Sequence, residues 1–206
     1  MKEKLLVLAK ACPETSQKYE SLVCVAGITE NGEWRRLYPV PWKVFWKTSQ
    51  AKFRKKEWIE YELAENKPSD HRPESRKVNF ETIKPLRKAG FQEIKALLDS
   101  HLSSIEELEA KTPKIQSLGV IKSDNIIDLQ PVDNQHYENL VTKGKQTDLF
   151  GKSAVKLEVP KFKYRLQFKD DSDGRVHELL CEDWEVSELY RHCEDYRKQG
   201  KYKDES

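Results

Sequence analysis

Two β-branched and apolar runs, Ser21 to Ile28 and Glu33 to Pro39, flank the tetrapeptide Thr29-Glu30-Asn31-Gly32. Asn and Gly accept the left-handed backbone that a two-residue turn demands, so the pair predicts an antiparallel hairpin. Pro39 and Pro41 donate no ladder hydrogen bond, so the second strand is expected to end there or to lie at an edge.

Other segments extend this pattern. Residues 4–9 read as a first strand. Ile59, Tyr61 and Leu63 alternate with Glu60 and Glu62, as in a half-exposed strand. Residues 66–77 read as a polar loop, and Trp42 to Ala51 as one or two helical turns. Ile94, Leu97, Leu98, His101, Leu102, Ile105 and Leu108 recur at three-and-four spacing, which predicts a helix. Ser103-x-x-Glu106 or Ser104-x-x-Glu107 would cap a second helix, splitting the region into a pair. Leu118–Ile121, Ile126–Leu129, Val155–Val159, Phe162–Phe168 and His177–Leu180 read as strands, with a turn at Asp170–Gly174. Glu182 to Arg197 reads as a final helix.

Strands, helices, strands and a helix, in that order, predict an α+β fold with antiparallel sheets. We expect antiparallel β-hairpins forming one or two small barrel-like sheets, a central helical pair and a C-terminal helix. Residues 1–90 form a basic β-rich region, and residues 91–206 carry the helical pair, the second hairpin region and the last helix. A single compact domain is the alternative.

Charge divides the chain at the same place. The net charge is +2, but residues 1–90 hold 19 Lys or Arg against 12 Asp or Glu, and the remainder holds 18 against 23. Trp34 to Lys56 contains eight basic residues, no acidic one and six aromatics. Cations interleaved with rings suit single-stranded nucleic acid, where phosphates are neutralised and bases stack. Trp34, Arg36 and Tyr38 alternate onto one strand face, opposite Arg35 and Leu37. With Lys43, Lys47, Arg54, Lys55 and Lys56 they form the candidate interface, and Arg72 would clamp a phosphate. The competing explanation is that the rings are core and the lysines merely solvated. A protein partner on the aromatic patch is a further alternative.

Asp70-His71-Arg72-Pro73-Glu74-Ser75 is the second constellation. Asp70, His71 and Glu74 would serve as acid, base or cation ligands in a metal-dependent enzyme acting on nucleic acid or nucleotides. A solvated turn fixed by Pro73 is the preferred explanation, since nothing else in the sequence completes a known catalytic set. Four cysteines occur with no C-x-x-C pair, and the N-terminal apolar run is too short for a secretory leader. That predicts free thiols in the cytoplasm. His177 and Cys181, with His192 and Cys193 nearby, are the candidate zinc ligands, although their spacing matches no standard module. No run of about 18 apolar residues exists, so no membrane span is expected. Phosphate-loop, dinucleotide and hydrolase signatures are absent, and no cofactor is implied. Glu65-Asn66-Lys67 and Glu93-Ile94-Lys95 have the short form of a nuclease motif without its context. A non-enzymatic binding protein is therefore the leading expectation.

Val25-Ala26-Gly27-Ile28-Thr29, Arg36-Leu37-Tyr38-Pro39-Val40-Pro41, Asp70 to Ser75, Ser117-Leu118-Gly119-Val120-Ile121-Lys122 and Asp183-Trp184-Glu185 are spread along the chain. In these segments the sequence resembles a family of uncharacterised bacterial cytosolic proteins. The resemblance brings no activity with it. In that family the last hairpin carries a cysteine-containing F-x-C…H module, whereas this chain reads Phe168-Lys169-Asp170-Asp171, which weakens the zinc expectation.

Overall fold

A computed structural model describes residues 1–15, 21–45, 49, 51–135, 137–138 and 160–201. The fold is mixed α+β. Its first half holds strands β1 (Lys2–Lys10), β2 (Glu14–Thr15), β3 (Ser21–Thr29), β4 (Trp34–Pro41), β5 (Glu57–Pro68) and β6 (Ser75–Lys88). Helices α1 (Phe91–Asp99) and α2 (Ile105–Lys111) follow, then β7 (Asn125–Asp133), β8 (Phe162–Lys169), β9 (Val176–Cys181) and helix α3 (Trp184–Lys198).

The first six strands make one sheet in the order β1-β5-β6-β4-β3-β2, and β1 also pairs with β3. Five strands therefore close on themselves as a ring. All of its pairings are antiparallel except β4 with β6, where Arg36 and Leu37 meet Ser75 and Arg76. The hairpin forms, but its turn is not the two-residue one expected. Of Asn31 and Gly32 only Gly32 has positive φ, at +79°. With the Thr29 amide donating to Glu33 O and the Gly32 amide to Thr29 O, the loop spans Glu30, Asn31 and Gly32. Strand β4 runs on through Pro39 and Pro41. The register with β3 shifts between Val23 and Val25, opposite Pro39, and pairing with β6 covers only Arg36 and Leu37. The prolines thus sit where few ladder donors are needed.

Leu5, Val7, Val23, Leu37, Ile59 and Tyr61 fill the ring. A 3-10 turn over Trp42–Phe45 and the residue Phe53 close one end. Here the structure departs from expectation: Phe45 and Phe53 are buried core, and Trp42 packs against it. The sheet's longest strand, β6, covers residues read as loop or left unassigned.

Strands β7-β8-β9 form a separate antiparallel sheet that does not close. Helix α2 begins at the Ser104 capping box, and its Ile105 amide donates to Asp170 Oδ2 at 2.8 Å, which ties the helix to the β8–β9 turn. Residues 118–121 form only an isolated bridge, Leu102 with Val120. Val155–Val159 lies outside the described residues. Among the described residues no helix is long and apolar enough to cross a membrane.

Candidate nucleic-acid interface

Strand alternation sorts β4 as the sequence suggests, with Leu37 and Arg35 inward and Trp34, Arg36 and Tyr38 outward. The inward guanidinium is not a phosphate ligand. Arg35 donates from Nε and Nη2 to the Glu3 carboxylate at 3.2 and 3.1 Å and also reaches Glu33, with its side chain 11% exposed. Tyr61 donates its hydroxyl to the same Glu3 at 2.9 Å, and burial pushes that phenol well above its usual range.

The outward face is partly covered. Arg36, 13% exposed, donates to Cys24 Sγ at 3.2 Å and Ser117 Oγ at 3.1 Å, and lies 3.7 Å from Glu74. Glu74, 6% exposed, accepts at Oε1 from the Ser117 amide at 3.1 Å and from the Ser117 hydroxyl. Its Oε2, and the Nε of Arg36, have no hydrogen-bond partner among the described residues. Arg35 and Arg36 thus differ from the free cations expected of them, because nearby carboxylates neutralise both.

The loop from Ser69 to Glu74 curls beside Tyr38. The Asp70 carboxylate accepts from the Arg72 amide at 2.9 Å and from its guanidinium at 3.1 and 3.2 Å. Burial alone would push that carboxyl up, but the Arg72 hydrogen bonds hold it well below the usual carboxylate range. Arg72 in turn stands 5.9 Å from the centre of the Tyr38 ring. His71 is exposed. The structure thus brings Arg36, Tyr38, Asp70, Arg72 and Glu74 together. It joins Asp70 to Arg72, and Glu74 to Ser117 through Oε1.

Elsewhere the candidates scatter. Lys43 is exposed and lies 4.7 Å from the Phe80 ring centre, and Arg54 and Lys56 are exposed. Lys55 is spent on Asp183 and Glu185 at 2.8 and 2.9 Å. Lys47 lies outside the described residues. His177 stacks on Phe168 and contacts Asp173 at 3.3 Å. Cys181, four residues further along the same strand, is about 13 Å away by strand rise, so the two do not meet at one ion. Asp170, Asp173 and His177 do converge, but the Asp170 oxygens are taken by Ile105 and Ser172.

A groove of about 460 Å³ runs beside Trp34, between the β3–β4 turn, Glu74 and the α1–α2 region. His101 closes one side. Its nitrogens lie 2.8 Å from Leu97 O and 2.8 Å from Gly32 O, and its ring meets the Trp34 indole edge-on at 5.9 Å. Sequence reasoning placed His101 only in an apolar helical stripe. Ser117 carries no local signal of its role, because its partner Glu74 lies 43 residues away in the chain.

Residues 99–205 match DUF8757, a domain of unknown function, and residues 1–100 match DUF8758, also a domain of unknown function. No curated protein and no solved structure matches the chain.

Proposed function

The chain belongs to the DUF8757 family, and we propose that it binds single-stranded DNA or RNA without chemical turnover. The observation that carries this reading is the way the ring brings β4 and the 69–74 loop side by side, with Arg72 over Tyr38. Followed around the ring, the order is β1-β3-β4-β6-β5 and back to β1, with only β4 and β6 parallel. That connectivity is shared with the oligonucleotide-binding fold, whose second and third strands and first–second and fourth–fifth connections face the ligand. Here those parts are β3, β4, residues 11–15 of the first connection and residues 69–74. A shared topology is an analogy and does not assign a function, so the reading rests equally on side chains. Tyr38 offers a stacking ring. Lys43, Arg54 and Lys56 offer exposed charge without an ion pair among the described residues.

Four free cysteines fit a reducing bacterial cytoplasm as the place of action. The test is fluorescence anisotropy of a labelled single strand with Tyr38→Leu and with Lys43→Ala/Arg54→Ala. Loss of the ring should weaken binding about tenfold. Loss of two cations should flatten the dependence of log affinity on log salt by about 1.4. Unchanged binding in both variants would remove these residues from consideration.

A further inference from the structure

We propose that the groove beside Trp34 takes one unpaired nucleobase, stacked on the indole and donating an N–H of its pairing edge to the Glu74 carboxylate. The inference rests on the nucleic-acid reading above and adds which part of the ligand enters and which edge is read.

The groove's size suits a single base with its sugar. Its walls combine the flat Trp34 and aliphatic Ile115 with the carboxylates Glu33, Glu74 and Glu107. The cations present are Arg35 and Lys111, and Arg35 is already neutralised by Glu3 and Glu33. Such walls repel a phosphate and favour a flat, uncharged ligand that donates hydrogen bonds.

Glu74 supplies the more specific signal. Buried acceptors are nearly always satisfied, yet Oε2 of this buried carboxylate has no partner among the described residues. An unmet acceptor on a residue that lines the groove suits a donor N–H on the pairing edge of a nucleobase. That edge is free only in an unpaired strand. Glu107, by comparison, is occupied by the Ser103 hydroxyl and the amide of Ser104.

The test compares the intact protein's affinity for oligothymidylate with that for the same strand methylated at every thymine N3. Methylation keeps phosphate charge and stacking but removes the donor. The expected result is about tenfold weaker binding of the methylated strand. Trp34→Leu should weaken both strands about tenfold through lost stacking. Equal affinity of the wild-type protein for the two strands overturns the base pocket while leaving salt-dependent single-strand binding in place. Failure to bind either strand at low salt overturns both readings.

Discussion

The indole of Trp184 lies 4.1 Å, centroid to centroid, from that of Trp42, with the rings tilted by 44°. Phe45 meets Trp184 edge-on at 5.6 Å, and Lys10 Nζ lies 5.0 Å from the Trp184 ring centre. Asp183, just before it, accepts from the Glu185 amide at 2.7 Å and caps α3. The same Asp183 holds Lys55. The Asp183-Trp184-Glu185 segment therefore fastens the C-terminal helix to the closed end of the ring. Trp184→Ala should lower stability by about 2–4 kcal/mol, less than for a wholly enclosed ring because Trp184 is half-buried. Urea unfolding reads this directly, and a loss below about 0.5 kcal/mol would mean that the contact holds nothing together.

Gly27 is required by close approach. A Cβ there would stand 2.1 Å from the Leu6 carbonyl oxygen, a backbone atom that cannot swing aside. Gly27→Ala should cost about 3 kcal/mol or lead to insoluble protein. Gly119 makes a useful contrast, since its nearest neighbours are the terminal methyls of Leu108. Gly119→Ala should be the milder change, and thermal melts of the two variants would rank them.

Asp170 is 1% exposed, and its carboxylate is shared between the first amide of α2 and the amide and hydroxyl of Ser172. Asp170→Ala strands all three donors and should destabilise the second half by about 2–3 kcal/mol. Hydrogen exchange would show the loss first at Ile105 and in the β8–β9 turn. Unchanged protection there would contradict the cap.

Asp70 sets the acid limit of the 69–74 loop. Its carboxyl is held below its ordinary value by Arg72, so ionised Asp70 stabilises the folded state. That contribution is complete above the unfolded value of about 3.9 and is lost as pH falls through the depressed folded value. The stability gap between the natural protein and Asp70→Asn should be constant from about pH 7 to pH 5 and close below about pH 4. No gap at neutral pH, or one that persists into strong acid, would show that the pair contributes nothing.

Local chemistry made several elements legible. Asn31-Gly32 marked its hairpin, and the Ser104 capping box marked where the helical stripe divides. Alternation in Phe162–Phe168 marked β8. Non-local pairing hid the rest. Strand β6 escaped because Pro85 and the register shifts against β5 break its alternation, so its residues look irregular when read singly. The outward face of β4 was sorted correctly. Its partners were not, because Glu74 and Ser117 reach Arg36 only after the ring closes. Charge counting failed for Arg35 and Lys55 for the same reason, since Glu3 and Asp183 lie 32 and 128 residues away.

The most direct test of the central claim is an anisotropy titration of one labelled oligonucleotide, single-stranded and annealed to its complement, at two salt concentrations fourfold apart. With Lys43, Arg54 and Lys56 as the phosphate contacts, single-strand affinity should fall about 20-fold across that range. The duplex should bind more weakly at both salts. Equal affinity for duplex and single strand, or no binding at the lower salt, would contradict the account.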